Sequence, residues 1–334
     1  MAIKWKECRA HVLVAALVCT LALGSAVLAL PGGIVVANDA GQLWVRNTDL
    51  TGSGIYATIS DTPSCLAIES DGKVLVGTTV GRTYIRNSSL GAIDYYGGFG
   101  GSIVGASVRS DGKVVLAASN GQIWLRNSDL SGTGISTSVP TTPTCVATES
   151  DGKVVVGSSA GRLYIIPASL GSIDWQGGLS AISSVAIEAN DNVLGGTTAG
   201  SVYLRQPNVL TAITLQGGFG STVSALGVLG NGKVVVGTSG GLLYLRNGAD
   251  LSGAGYSSSG FGSITRIAVA SNNNIVVANS TGSVWVLNST LGQVYNAGGF
   301  GNVVGLGIQP VPEPTCLVSL LGLVGAAILV RRRA

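Results

Sequence analysis

The chain has 334 residues, of which 51 are glycine, 46% are hydrophobic and only 10% are charged. So few charges beside so many apolar residues exclude a disordered polymer, and glycines without a three-residue period exclude a collagen-like rod. The formal net charge of +3 belongs to the ends: with Lys4, Lys6, Arg9, Arg331, Arg332 and Arg333 set aside, and Glu7 and Glu313 likewise, 13 basic residues face 14 acidic ones, a balance of −1 that excludes a basic footprint for nucleic acid.

Residues 1–29 have the layout of a secretory signal peptide. Lys4, Lys6 and Arg9 make a basic start, Val12 to Leu23 an apolar run, and Gly24, Ser25, Ala26 and Ala29 a small-residue zone. The run is short for a membrane span, which needs ~20 residues. Signal peptidase is expected to cut after Ala29, with Ala26 as the alternative position. The chain would thus be exported across the inner membrane.

Residues 30–310 are an array with a period near 40 residues. Asp71-Gly72-Lys73, Asp111-Gly112-Lys113, Asp151-Gly152-Lys153 and Asn231-Gly232-Lys233 each open a unit. Asp191-Asn192 and Asn272-Asn273-Asn274 open two more, and Gly32-Gly33 opens the first. The seven units are 32–70, 71–110, 111–150, 151–190, 191–230, 231–271 and 272–310.

Each unit has one grammar. An Asp-Gly or Asn-Gly turn is followed by a β-branched run, such as Val154-Val155-Val156. A second strand carries one aromatic: Trp44, Tyr84, Trp124, Tyr164, Tyr203, Tyr244 or Trp285. A looser strand, a Gly-rich turn such as Gly217-Gly218-Phe219-Gly220, and an apolar strand such as Ser184 to Ile187 complete the unit. Four short strands in about 40 residues predict an all-β fold, a seven-bladed β-propeller. Most strands are apolar on both faces, as blades covered on two sides require. The repeated aromatics are expected in the wedges between blades. Units 1 and 3 match one another, as do units 2 and 4, which points to duplication of an 80-residue pair. Because the first unit lacks a leading apolar strand and the last ends on one, Val303 to Ile308 is expected to complete the first blade and close the ring.

Chemistry-bearing residues are sparse in this array. The sole histidine is His11, within the signal, so the domain holds no His-based triad or metal site. No P-loop, dinucleotide fingerprint or CxxC occurs. No catalytic residue, cofactor or metal site is assigned. Cys65 and Cys145 occupy the same offset in two units and read as separate buried thiols. Asp71, Asp111 and Asp151 read as turn residues; Glu69 and Glu149 beside them make only a weak Ca²⁺ pattern. Asp94 and Asp174 are also paired by the repeat, a carboxylate pair of the kind a glycosidase uses. Arg46, Arg86, Arg126 and Arg246, each followed by Asn, read as solvated charges at strand ends.

The chain ends on Pro312-Glu313-Pro314, an uncharged apolar run from Cys316 to Val330, and Arg331-Arg332-Arg333. The prolines end the domain, the run predicts a short transmembrane helix, and the arginines hold its end on the cytoplasmic side. These three elements, over residues 311–334, resemble the PEP-CTERM sorting signal of Gram-negative bacteria. The resemblance implies recognition by an exosortase, cleavage near Pro312-Glu313-Pro314, and release or display at the cell surface after transient anchoring by the C-terminal helix. Proteins of this type occur in bacteria that make exopolysaccharide and biofilm. The expected function is a non-catalytic binding platform for exopolysaccharide or a surface protein. A carboxylate-based polysaccharide lyase or glycosidase is the alternative, and a periplasmic sensor or scaffold component is the third reading.

Overall fold

A computed structural model describes residues 32–310, apart from positions 53, 133, 208–212 and 254. The signal segment with Ala29, and the tail with Pro312, Glu313, Pro314 and the three arginines, lie outside the described residues. Among the described residues there is no helix, and so none long and apolar enough to cross a membrane.

The Asp-Gly turns form as their chemistry dictates. Gly72, Gly112, Gly152 and Gly232 take φ between +78° and +85°, a region glycine enters without steric cost. The Asp71 carboxylate accepts the Lys73 amide at 3.0 Å, closing the turn with a side chain. Where glycine is missing, Asp191 and Asn273 take φ of +62° and +64°, and these are among the few residue types that tolerate it. Each turn joins two antiparallel strands. Among the described residues twenty-eight strands result, gathered into seven four-stranded sheets.

The sheets are the blades of a seven-bladed propeller. From the axis outward, blade 1 contains Val303–Ile308, Ile34–Asn38, Gln42–Arg46 and Ile55–Thr58. Blade 2 contains Pro63–Ile68, Val74–Thr78, Thr83–Arg86 and Ala92–Tyr96, and the later blades follow the same order. The innermost strands contact one another in sequence around the axis, and the last returns to the first.

The blades are offset from the sequence units. Unit 71–110 starts on the second strand of blade 2 and hands its last strand, Ile103–Val108, to blade 3 as the innermost strand. Every unit thus spans two blades. The expected closure holds: Val303–Ile308 pairs antiparallel with Ile34–Asn38 in the register Ile34↔Ile308 and Val36↔Leu306. Blade 1 is therefore built from both ends of the domain.

The second strand of each blade is buried at every position from Ile34–Asn38 to Ile275–Asn279, except Lys233 at the start of its strand. Neighbouring blades cover both its faces, which is why it reads as a continuous β-branched run. The Gly77 position in Val-Gly-Thr has a steric cause. A Cβ there would stand 2.6 Å from the Cys65 sulfur and 2.6 Å from an Ile103 methyl of the next blade.

Six of the seven unit aromatics, all but Tyr203, pack in the wedges as expected. Trp44, Tyr84 and Tyr164 are buried, while Trp124, Tyr203, Tyr244 and Trp285 are half-buried. In four wedges the Phe of a Gly-rich turn meets the next blade's aromatic edge to face: Phe300 on Trp44, Phe99 on Trp124, Phe219 on Tyr244 and Phe261 on Trp285, with centroids 5.1–5.9 Å apart. Two of the others use a hydroxyl instead. Tyr84 Oη lies 3.0 Å from Ser60 Oγ, and Tyr164 Oη 2.8 Å from Thr141 Oγ1. The first four units alternate between these two wedge types, which is the physical content of the 80-residue pairing.

One repeated feature escapes sequence reading. Leu50, Leu90, Leu130, Leu170, Leu251 and Leu291 all adopt φ of +56° to +66° and are buried. A left-handed leucine costs about 1–2 kcal/mol, and burying its side chain recovers about 1.5–3 kcal/mol. The amide of Leu90 also closes a turn on the Asn87 carbonyl at 2.8 Å.

Candidate functional site: channel, blade margins and rim

The central channel is bounded by the innermost strands and holds a cavity of about 180 Å³. Aliphatic residues, glycines and hydroxyls line it. The hydroxyls are used for construction. Ser64 donates to the Ile103 carbonyl of the next blade, Thr144 to that of Ile182 at 2.6 Å, and Ser183 to that of Val223 at 2.7 Å. Each stitches one innermost strand to the following one. Cys65 and Cys145 border the channel as free thiols, and burial pushes each up to about 11. Arg266 is the one charged residue of the lining.

Just beyond the innermost strands, polar side chains reach across to the neighbouring blade. Gln309 donates to the Ser88 carbonyl at 2.7 Å, and Arg109 to the Ala168 carbonyl at 2.8 Å. Glu69, Glu149 and Glu188 hold the same position in three other blades and are buried. Burial raises the Glu69 carboxyl to about 7, against the partial compensation of Lys73 at 3.8 Å. Glu149 is raised for the same first reason. The Lys73 ammonium sits closer to Asp71, at 2.6 Å. Glu69 and Asp71 therefore flank a lysine, and among the described residues no group of three or more His, Cys, Asp or Glu is gathered to hold a metal.

This burial has a pH signature. A raised carboxyl pKa means that the folded state keeps a proton the unfolded chain releases. Stability is then expected to fall as pH rises from about 4.5 to about 7, and to level off above. The aspartates held low by hydrogen bonds, such as Asp49 and Asp129 with Thr51 and Ser131, act only at more acidic pH. Glu69→Gln should flatten the slope between pH 5 and pH 7 in urea titrations. An unchanged slope would assign it elsewhere.

The outermost strands, and the residue just before one of them in the case of Tyr256, carry the exposed aromatics. Tyr56, Tyr95, Trp175, Tyr256 and Tyr295 are between 43% and 55% exposed, far more than large rings normally are. Register explains three of them. Tyr56 pairs with Trp44, Tyr95 with Tyr84 and Trp175 with Tyr164, so each wedge aromatic continues outward onto the rim. Tyr95 stacks on Tyr84 at 5.5 Å and 28°. Donors flank these rings: Gln42 Nε2 lies 3.2 Å from Tyr56 Oη, Arg82 sits 5.7 Å from the Tyr95 centroid, and Arg162 sits 4.2 Å from that of Trp175. Asp61 holds Arg82 at 3.4 Å.

Two sequence expectations need correction. Asp94 and Asp174 do not come together. They lie on the outermost strands of blades 2 and 4, with blade 3 between them. Asp174 instead stands 4.0 Å from Arg205, a guanidinium that burial holds below its ordinary value. The strand-end arginines are also not simply solvated. Arg126 and Arg246 lie over Trp124 and Tyr244 at 5.1 and 5.3 Å, Arg46 lies over Phe300 at 5.6 Å, and Arg86 lies over Tyr84 at 5.9 Å. Arg46 and Arg246 also donate to the loop carbonyls of Gly52 and Gly253, at 2.6 and 3.0 Å. They act as cation–π lids on the wedges.

No protein-family model matches this chain, and no curated protein does either. Among solved structures, the crystal structure of the computationally designed Ika8 protein is similar, with a TM-score of 0.63 and 20% identity over 82% of this chain and 86% of that one. At that identity the likeness concerns the fold alone.

Proposed function

We propose that this propeller is an exported, non-catalytic platform that binds polysaccharide along its rim. The observation that carries the reading is the outward continuation of wedge aromatics as Tyr56, Tyr95 and Trp175, each beside a hydrogen-bond donor from Gln42, Arg82 or Arg162. A half-exposed ring presents an apolar face to the C–H face of a sugar, and an adjacent amide or guanidinium serves its hydroxyls. Rings on separate blades let one long chain engage several sites at once, so weak contacts multiply. The separation of Asp94 from Asp174, and a channel lining without a carboxylate, favour binding over the glycosidase alternative.

Affinity electrophoresis of residues 30–310 in gels containing neutral and acidic polysaccharides tests the reading. The domain should be retarded, and the combined Tyr56→Ala, Tyr95→Ala, Trp175→Ala variant should lose at least about tenfold in affinity, at ~1 kcal/mol per ring. Unretarded migration in every gel, with capture of a protein partner instead, would replace the glycan reading by the surface-protein one.

Delivery in this reading follows from the ends. The signal segment exports the chain, the apolar run anchors it transiently, and an exosortase processes it near Pro312-Glu313-Pro314. Replacing those three residues by alanine should leave an uncleaved species in the membrane fraction. Normal processing of that variant would count against the sorting step.

A further inference from the structure

The innermost strands share a pattern at their third residue. Six of the seven are small: Cys65, Gly105, Cys145, Ser184, Ala225 and Gly305. The seventh is Arg266. The glycines of this set stand close against the next innermost strand, where a Cβ on Gly105 would lie 2.8 Å from Val146 and one on Gly305 2.7 Å from Leu66; the arginine alone brings a long charged side chain to the channel lining. Its Nη2 donates to the Ser64 carbonyl at 3.2 Å, on a strand two blades away, so the side chain extends across the channel. Its Nη1 donates to the carbonyl of Thr265 at 2.8 Å.

Two features of this placement are unusual. A guanidinium has five N–H donors, and these two bonds leave three unused. Its charge also has no counter-ion: none of the described carboxylates forms an ion pair with it, and the cavity lining contains none. The ionisable groups beside it are the thiols of Cys65 and Cys145, which stay neutral at physiological pH. The nearby hydroxyls of Ser64, Thr144 and Ser183 already donate to backbone carbonyls. Arg266 is half-buried; partial loss of water around an unpaired guanidinium is unfavourable, and this desolvation holds it below its ordinary value. A partner that would offset the cost is a small group whose anionic oxygens accept from the N–H groups left unused. The cavity of about 180 Å³ admits such a group if it is small.

We propose that the axial channel is a binding site for a small oxyanion, held by the free N–H groups of Arg266. Free carboxylates and inorganic oxyanions share the chemistry the fork recognises, and separate titrations tell them apart. This site is independent of the rim: it uses the channel, where no exposed aromatic lies.

The test is an anion titration of the full chain, followed by thermal unfolding and by calorimetry. Sodium acetate and sodium phosphate are each compared with sodium chloride at matched ionic strength. At about tenfold excess over the dissociation constant, the preferred oxyanion should raise the melting temperature by roughly 2–4 °C relative to chloride. Arg266→Met keeps an apolar stem in the channel and removes the charge. It should show no response, and should melt at or above the temperature of the unliganded parent protein. Arg266→Lys keeps the charge without the fork and should bind at least about tenfold more weakly. Tyr95→Ala should respond like the parent, which separates this site from glycan binding. The proposal is overturned if the parent protein gives neither a temperature shift nor titration heat with acetate or phosphate. It is equally overturned if Arg266→Met responds as the parent does. Should Arg266→Met fail to fold, the lysine variant decides, and unchanged affinity there rejects the site.

Discussion

A chain ending at Gly301 is expected to lose its cooperative unfolding transition and to collect in the insoluble fraction. The truncation removes Val303–Ile308, the innermost strand of blade 1. Val303 is fully buried and Leu306 nearly so, and both belong to the cluster that joins blade 7 to blade 1. Losing two such side chains costs about 2–5 kcal/mol each, comparable to the whole stability of ~5–15 kcal/mol of a typical domain. The backbone consequence is worse. Ile34–Asn38 is buried at every position and would be left as an open inner edge, its ladder to Gly305–Ile308 gone. An exposed apolar edge strand is a template for intermolecular pairing. A soluble truncated chain with a single sharp transition would mean that six blades and an incomplete seventh close without the clasp. Circular dichroism and size-exclusion chromatography decide the matter.

Phe300→Ala is expected to lower stability by roughly 3–5 kcal/mol, the range for truncating a buried aromatic. Phe300 is 3% exposed and meets Trp44 at 5.3 Å and 84°, with Arg46 over its ring at 5.6 Å. Its carbonyl also accepts the buried Asn38 side chain at 2.7 Å. One residue thus organises the wedge where the two ends of the domain meet. Tyr295→Ala, 43% exposed on the strand just before, is the control and should stay within about 1 kcal/mol. Urea denaturation with an unchanged slope measures both. A loss under about 1 kcal/mol for Phe300→Ala would mean that the wedge collapses to refill the space.

The two predictions concern one place, the seam of the ring. The wedges that do not border blade 1 are built from a single stretch of chain, and their contacts are local in sequence. The seam pairs residues about 270 positions apart, such as Ile34 with Ile308. Closing so large a loop costs entropy before any contact forms, although the cost grows only slowly with length. The seam needs a dense set of interactions for that reason, and Phe300, Trp44, Asn38 and the Ile34–Asn38 ladder supply it.

Much of this architecture can be read from residue order. The Asp-Gly turns, the β-branched runs and the single aromatic per unit are local signals, set by φ preferences and side-chain shape, and they specify four strands per unit and seven units without tertiary knowledge. Even the closing strand is legible, because an array that starts without one element and ends with it can balance only as a ring. The left-handed leucines are not legible. Nothing about Leu90 in isolation suggests φ of +60°, since only the wedge that buries it compensates the strain. The offset of units from blades follows from the same reading as the closing strand, since a last strand that completes the first blade implies that every unit hands its last strand to the next blade.

The candidate sites divide along the same line. Sequence alone determined that residues 30–310 hold no histidine and that Asp71, Asp111 and Asp151 recur in Asp-Gly turns. Those facts depend on which residues are present. Tertiary structure decided everything that depends on distance. It set Asp94 and Asp174 on separate blades and laid Arg46 and Arg246 over aromatic rings. It turned Tyr56, Tyr95 and Trp175 outward, and it left Arg266 across the axis without a counter-ion. In a repeat protein equivalent positions look alike in sequence, and only ring geometry turns the one that differs into a site.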